Sequence, residues 1–455
     1  MKAFDMDQSA WARFSAEDRR NMEEYSTAYR QFLDTARTER LAAKEILRQA
    51  KEAGFKPLSA YTELKPGDKV YWDQKGKSVI LAVIGSEPLE KGMKIVGSHI
   101  DCPRLDLKAM PVMEKNKIVY FKTHYYGGIL KYQWVCMPLS LIGVVYTADG
   151  RQIDISIGED PNDPVLFIND LLPHLGKDQA AKKLTEAITG EMLMPLVGTY
   201  SEEETTKPQI LKLLKDKYGI EEEDFASAEL EIIPAQKSRE AGLDRSLIMS
   251  HGHDDRVCSY GNLAAILKAA PGSKTQVALF ADKEEIGSVG NTGVHSSYFL
   301  DFTAEMLALQ GHTEELYLRR TMRHSEVLSA DVSAAFDPVF ADAYEETNAA
   351  KLGYGICLCK YTGARGKSGS NDANAEFLAK VRSIFNNANV PWQVGELGKV
   401  DQGGGGTIAY IMADWGCDVV DCGVAMHSMH APLEIVAKAD AYCGYLAYKA
   451  FFESK

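Results

Sequence analysis

The chain is predicted to form an α/β fold: a mixed, mostly parallel sheet flanked by helices and interrupted by a β-rich insertion. Three observations predict it. Short, continuously apolar runs such as "KSVILAVIG" (77–85) and "MKIVGSHI" (93–100) read as strands buried on both faces, as central parallel strands are. Such runs alternate with stretches of helical period up to about residue 107 and again from about 246, the pattern of an α/β domain. Between those limits the chain is rich in turn signals and strand-like segments. One domain is therefore expected from 1–107 and 246–455, and an inserted one from 108–245. A length of 455 residues suits two such bodies.

Taken in order, residues 15–53 read as helical, and "RLAAKEILRQAKEAGF" stops at Gly54, a C-cap signal. The two buried strands follow. Inside the insertion, Asp149-Gly150 between strand-like runs marks a hairpin. Residues 176–224 read as charge-rich helix, with "DQAAKKLTEAITGEML" and "PQILKLLKDKYG" on either side of an exposed acidic loop, "TYSEEETTKP". Beyond 246, "NLAAILKAA" reads as helix, "TQVALFA" and "SEVLSAD" as strands, "NDANAEFLAKVRSIFNNA" as helix and "CDVVDCGVAM" as strand. There is no internal repeat.

Composition narrows the function. The net charge is −13 with no lysine- or arginine-dense stripe, which argues against a nucleic-acid partner. The first twenty residues lack the apolar core of a signal peptide. The longest apolar stretch (134–148) is broken by Pro138 and Gly143 and reads as buried strand, so no membrane association is expected. Eight scattered cysteines suit reduced thiols and a cytoplasmic protein. Cys357 and Cys359 are close, but a C-x-C without a second pair reads as core.

The chemistry lies in acids and histidines placed where strands end. His99 closes "KIVGSH", Asp254 and Asp255 precede a helix, Glu284 and Glu285 follow "VALFADK", Asp331 ends "EVLSAD", and His430 follows "CGVAMHSMH". In open α/β sheets, ligands gather outside the carboxyl ends of the strands. Two imidazoles with several carboxylates and no thiolate suit two divalent cations, zinc above all, with cobalt or manganese as alternatives. A bridging carboxylate spans such a pair, and Asp254 is the candidate. His99 and Asp331 then serve one ion, and Glu285 and His430 the other. Glu284, adjacent to a ligand but not itself ligating, is the general base. Asp101 shares a strand face with His99 and is placed to fix its tautomer. A cis peptide is expected at Asp254–Asp255 to turn one carboxylate inward. His251 and His253 read as structural or substrate-facing. Singly, each motif has a bland reading: a solvated glutamate pair, an Asp-Asp helix cap, a core histidine. Their ordered combination, H-x-D, D-D, E-E, S-A-D and H-x-P-x-E, raises the metal reading above those.

In this order the motifs resemble the aspartyl-aminopeptidase family of cocatalytic zinc exopeptidases over nearly the whole chain. The similarity runs through "GSHIDCPRLDLK", "DKEEIGS", "SADVSAAFDP", "SMHAPLE", the "YGGILKYQWVCMPLSLIGVV" run and "GGGGTIAYIMA". The resemblance implies the same ligands and base, a substrate-contacting role for Lys360 in "GICLCKYTG", and an insertion that mediates dimerisation on the way to a dodecamer. Asp254-Asp255-Arg256, and Ala334 and Asp337 where the family carries histidines, depart from its pattern. The D-D-R and H-x-P-x-E forms look more like a sister family of cocatalytic aminopeptidases that includes glutamyl and deblocking types, so a preference for acidic residues is not carried over. The expected activity is removal of the N-terminal residue from short peptides. Alternatives on the same residues are a dinuclear deacylase or carboxypeptidase, or a scaffold that keeps metal for stability.

Overall fold

The computed structural model describes residues 4, 8–202 and 205–455; residues 1–3 and 5–7, and Glu203 and Glu204 of the acidic loop, lie outside the described residues. The chain divides into two compact units. One comprises 1–101, 238–429 and 434–455; the other comprises 102–237 and 430–433. The sequence boundaries stood at 107/108 and 245/246.

The first unit is built on a nine-stranded mixed sheet. From one edge the strands are Lys56–Pro57, Lys69–Gln74, Ser78–Val83, Thr275–Ala281, Met93–His99, Glu326–Ser329, Asp418–Gly423, Ile356–Cys359 and Trp392–Val394. The four central strands, from Thr275–Ala281 to Asp418–Gly423, are mutually parallel. Their apolar residues alternate between faces, as a pleated strand requires. Val96, Ala278, Phe280, Leu328 and Val420 pack on one side with helices Ala16–Thr35, Glu39–Glu52, His253–Lys268 and Lys438–Glu453. Ile95, Val277, Leu279, Val327 and Val419 pack on the other with Tyr298–Ala308 and Ala409–Asp414. Burial on both faces explains why these strands read as unbroken apolar runs. A second sheet of five short strands also belongs to this unit, in the order Arg239–Ala241, Leu247–Ser250, Glu434–Ala437, Ala425–His427, Ser333–Ala334.

The helical stretch 15–53 is two helices. Ser15 caps the first with a capping box to Asp18, and Thr38 caps the second by accepting the Leu41 N–H.

The second unit is an antiparallel sheet that closes on itself. Ala228–Pro234 pairs with both Arg104–Lys115 and Pro138–Tyr146, and the circuit runs on through Ile118–Tyr126, Leu196–Gly198 and Leu166–Phe167. Closure leaves no open edge within that circuit. The expected hairpin joins Pro138–Tyr146 to Gln152–Ile157, with Gly150 at φ +84° in the turn. Phe121, Trp134, Leu141 and Ile232 fill the interior. One expectation fails here. "DQAAKKLTEAITGEML" is two four-residue helices, Lys177–Ala180 and Leu184–Ala187, neither with a buried residue. Without an apolar face to pack, so short a segment cannot sustain a longer helix. "PQILKLLKDKYG" is helical as expected, over Lys207–Tyr218.

Candidate metal centre

Strand register brings the acids together. His99 ends its strand opposite Ala281, and Gly97 lies opposite Ser329. The chain continuations Asp282–Glu285 and Ala330–Asp331 therefore leave the sheet beside His99, outside the carboxyl ends of three adjacent parallel strands. Asp331 reaches its place because Gly423 on the next strand lacks a side chain. A Cβ there would stand 1.5 Å from the Asp331 carbonyl oxygen.

The fourth element is the start of helix His253–Lys268. Asn262 Nδ2 donates to the Val96 carbonyl at 2.9 Å, and Ser259 Oγ donates to the His99 carbonyl at 2.6 Å, fastening the helix to the strand. The Asp254–Asp255 peptide is cis, as expected from the sequence. The two carboxylates then diverge. Asp255 Oδ2 accepts the His99 backbone N–H at 3.2 Å, while Asp254 Oδ1 lies 3.2 Å from His99 Nε2. Glu434, buried, accepts the Asp254 N–H at 3.2 Å.

Asp101 ties the last pieces together. Its two carboxylate oxygens accept the backbone N–H groups of Glu284 and Glu285, each at 3.2 Å, and Oδ1 lies 3.2 Å from His99 Nδ1. The Asp101 carbonyl stands 3.0 Å from the same Nδ1. A proton on Nδ1 satisfies both acceptors and leaves the Nε2 lone pair for a ligand. The glutamates sit in a single turn of 3₁₀ helix, Glu284–Ile286, flanked by Lys283 (φ +66°) and Gly287 (φ +88°), both left-handed.

Two groups of donor atoms result, each within 4.8 Å: His99, Glu284 and Asp331, and His99, Asp254 and Glu285. Adjacent glutamates thus serve different groups that share one imidazole. The acids pay heavily for their position. Burial, then Asp331, pushes the Glu284 carboxyl well above its usual range. Burial likewise raises Asp331 and Asp255, each carboxylate adding to the others' repulsion. Burial alone would lower His99, but Asp101, Asp254 and Asp331 together hold the imidazole well above its usual value. Oxygen-rich donors with an imidazole, and a field that disfavours their ionisation, fit divalent cations, which reverse that field.

His430 is not in either group. It falls in the second unit, where its Nδ1 lies 2.7 Å from the Gly128 carbonyl. That contact places the proton on Nδ1 and the lone pair on Nε2, the tautomer a metal-ligating imidazole needs. Lys360 is not brought to the cluster. Its strand runs antiparallel, so Lys360 lies three residues back from Cys357, which stands opposite Gly423. At about 3.3 Å per residue that is roughly 10 Å behind the strand ends. Lys360 is exposed and lines a cavity of about 470 Å³ with Tyr361, Arg382 and Trp392. Cys357 and Cys359 are buried, their sulfurs 3.7 Å apart, as core residues. His253 is structural: Tyr29 Oη lies 2.7 Å from its Nδ1, and its Nε2 faces the Ile248 carbonyl at 3.1 Å. Asp255 and Glu434 were not assigned roles from sequence, although D-D and H-x-P-x-E both contain them.

A mixed α/β sheet with an acidic, imidazole-bearing cluster at the carboxyl ends of its parallel strands defines a metal-dependent hydrolase. The family model for aminopeptidase I zinc metalloprotease (M18) matches residues 32–452. A probable M18 family aminopeptidase 1 of Clostridium acetobutylicum is 46% identical, with 98% of each chain covered. An aspartyl aminopeptidase of Caenorhabditis elegans is 26% identical over 93% of each chain. The crystal structure of an M18-family aminopeptidase from Thermotoga maritima superposes with a TM-score of 0.95 at 45% identity, covering 98% of this chain and 99% of that one. The chain belongs to the M18 family of zinc metalloproteases and is an aminopeptidase.

Proposed function

We propose that the aminopeptidase reaction runs on two divalent ions, most simply zinc, held by His99, Asp254, Glu285, Asp331 and His430, with Glu284 as general base. The observation that carries this reading is the divergence of Glu284 and Glu285 onto two donor groups. Asp254 and Glu285 stand with His99 in one group, and Asp331 stands with His99 and the base Glu284 in the other, which supports a ligand set spread over two ions. Asp254, whose carboxylate lies 3.2 Å from His99 Nε2, would be the carboxylate held in common by the ions. When bound, the ions supply a Lewis-acidic centre that activates water and polarises the scissile carbonyl.

The protein groups do the rest. Glu284 takes the proton of the attacking water and returns it to the leaving amine. Asp101 holds the Glu284 and Glu285 amides and the His99 tautomer, so that the base and ligands stay in register. Lys360 is given no part in this reading.

The second unit is the assembly domain of a homo-oligomer, a dodecamer built from dimers on the family resemblance. Its exposed apolar side chains, among them Leu171, Leu172, Leu175 and Leu184, support a buried role in an assembly. The substrates are short peptides, and the compartment is the cytoplasm. None of the eight cysteines is in a disulfide, which supports a reducing environment. Among the described residues no helix is long and apolar enough to cross a membrane.

A panel of aminoacyl-anilides with free and acetylated N-termini, assayed while metal is added back, tests the reading. Turnover of free substrates only, saturating at two ions per chain, is expected. Full activity at one ion per chain would overturn the two-ion reading, and cleavage of acetylated substrates would point to a deacylase.

A further inference from the structure

The strands Met93–His99 and Glu326–Ser329 carry a second ionic cluster, at their amino ends. Register sets Lys94 directly opposite Glu326. The buried Glu326 carboxylate receives three ammonium groups: Lys94 Nζ at 2.7 Å, Lys380 Nζ at 2.8 Å and Lys274 Nζ at 3.0 Å. Lys94 is itself buried, donating also to Ser454 Oγ at 2.9 Å and lying 4.8 Å from the centre of the Phe451 ring. Three cations on one carboxylate leave an excess of positive charge in a chain whose net charge is −13.

Lys380 and Ser454 also face outward. They line a cavity of about 690 Å³ on helices Ala375–Asn387 and Lys438–Glu453. The same wall adds Lys449, which contacts the Glu453 carboxylate beside it at 2.7 Å. Ser383 and Asn387 supply neutral donors, and Ile384 and Leu446 an apolar side. Lys94 lies five residues from His99 along one strand, roughly 16 Å at 3.3 Å per residue, so this is a different place from the metal centre.

We propose that this cavity binds a small tetrahedral oxyanion of two or more negative charges, a phosphoryl group, between Lys380 and Lys449. Lys94 and Lys274 together suffice to compensate Glu326. Lys380, with 41% of its side chain exposed, can therefore turn to a ligand without stranding a buried carboxylate. The cations are all lysines, with no arginine fork on the wall. Ammonium groups act as point charges and suit a tetrahedral anion, where a planar carboxylate would favour a guanidinium.

Calorimetric titration of the metal-loaded protein with inorganic phosphate, at constant ionic strength, tests this. One saturable site is expected, weakened at least tenfold in Lys380→Met/Lys449→Met with aminoacyl-anilide turnover unchanged. Because Lys380 also touches Glu326, Lys449→Met alone serves as a second variant and should weaken binding at least threefold. Parallel titration with an alkyl phosphate separates the sources. Tighter binding of the ester assigns the Ile384 and Leu446 wall to an organic phosphate, and equal binding assigns the site to the free ion. Absence of saturable binding, or an affinity that ignores both lysine changes because phosphate sits on the metals, would overturn the proposal.

Discussion

Two neighbouring strands end in opposite electrostatics. At the carboxyl ends of Met93–His99 and Glu326–Ser329, His99 is ringed by Asp101, Asp254, Asp255, Glu284 and Asp331; at the amino ends, Glu326 is ringed by Lys94, Lys274 and Lys380. Each end holds a glutamate for which burial is the largest influence, and burial raises both. The outcomes diverge because the neighbours differ. Three ammonium groups overcome burial and hold Glu326 down at about 2, whereas the carboxylates around Glu284 add to burial and push it up. At the amino end the buried carboxylate has its counter-charges within the protein and can stand as folded protein. At the carboxyl end the carboxylates crowd one another around one imidazole, a charge that divalent cations would offset.

The largest expected effect breaks the acidic end. On the proposed roles, Glu284→Gln removes the base while leaving every other donor in place. Loss of general-base catalysis corresponds to about 10²–10⁴-fold in kcat. Elemental analysis should still find two ions per chain. A variant that keeps near-normal turnover would take Glu284 out of the mechanism. Breaking the basic end should instead cost stability. Glu326→Gln leaves three ammonium groups around a neutral amide. Removing one partner from a buried ion pair costs about 3–5 kcal/mol, and the lower figure applies because Lys274 and Lys380 reach solvent. Urea midpoints of the metal-loaded wild type and variant check this, and coincident midpoints would mean the cluster contributes nothing.

The two ends also differ in how well they can be read from sequence. Charged residues that interrupt or terminate apolar runs are conspicuous, so His99, Asp254, Glu284, Glu285 and Asp331 were all visible as a set. The central strands were equally plain, since burial on both faces leaves unbroken apolar runs. Lys94, Lys274, Lys380 and Glu326 each look like ordinary surface residues. They converge only through register between strands some 230 positions apart, and that register has no local signal. Strand direction is equally silent, which is why nothing in "GICLCKYTG" revealed that Lys360 is carried away from the cluster. Backbone partners were also missed: Glu434 acts on the Asp254 amide, a contact that side-chain motifs do not encode. The short helices after 176 failed for the opposite reason. Their propensity was legible, but nothing buries them.

The smallest effect is a tilt in stability with pH, and it separates the two ends by sign. Glu326 titrates at about 2 when folded, against about 4.3 in an unfolded chain. A depressed carboxyl contributes stability that is present above the unfolded value and is lost as pH falls toward the folded one. Screening at its partly exposed partners limits the effect to about 1–2 kcal/mol. Lys94 reinforces the tilt at the other extreme. Burial lowers its ammonium to about 8, so the cost of keeping it charged is relieved as pH rises from about 8 toward the ordinary lysine value. The amino-end cluster therefore favours the fold more as pH increases, in both windows. The carboxyl-end acids, raised by burial and by each other, act in the reverse direction until cations occupy them. Denaturation of wild type and Glu326→Gln, both stripped of metal because acid protonates its ligands, at steps between pH 2 and 5 compares them in the first window: the wild type should lose stability faster than the variant as pH falls, narrowing the gap between them. Parallel curves would show that the three lysines do not hold Glu326 ionised.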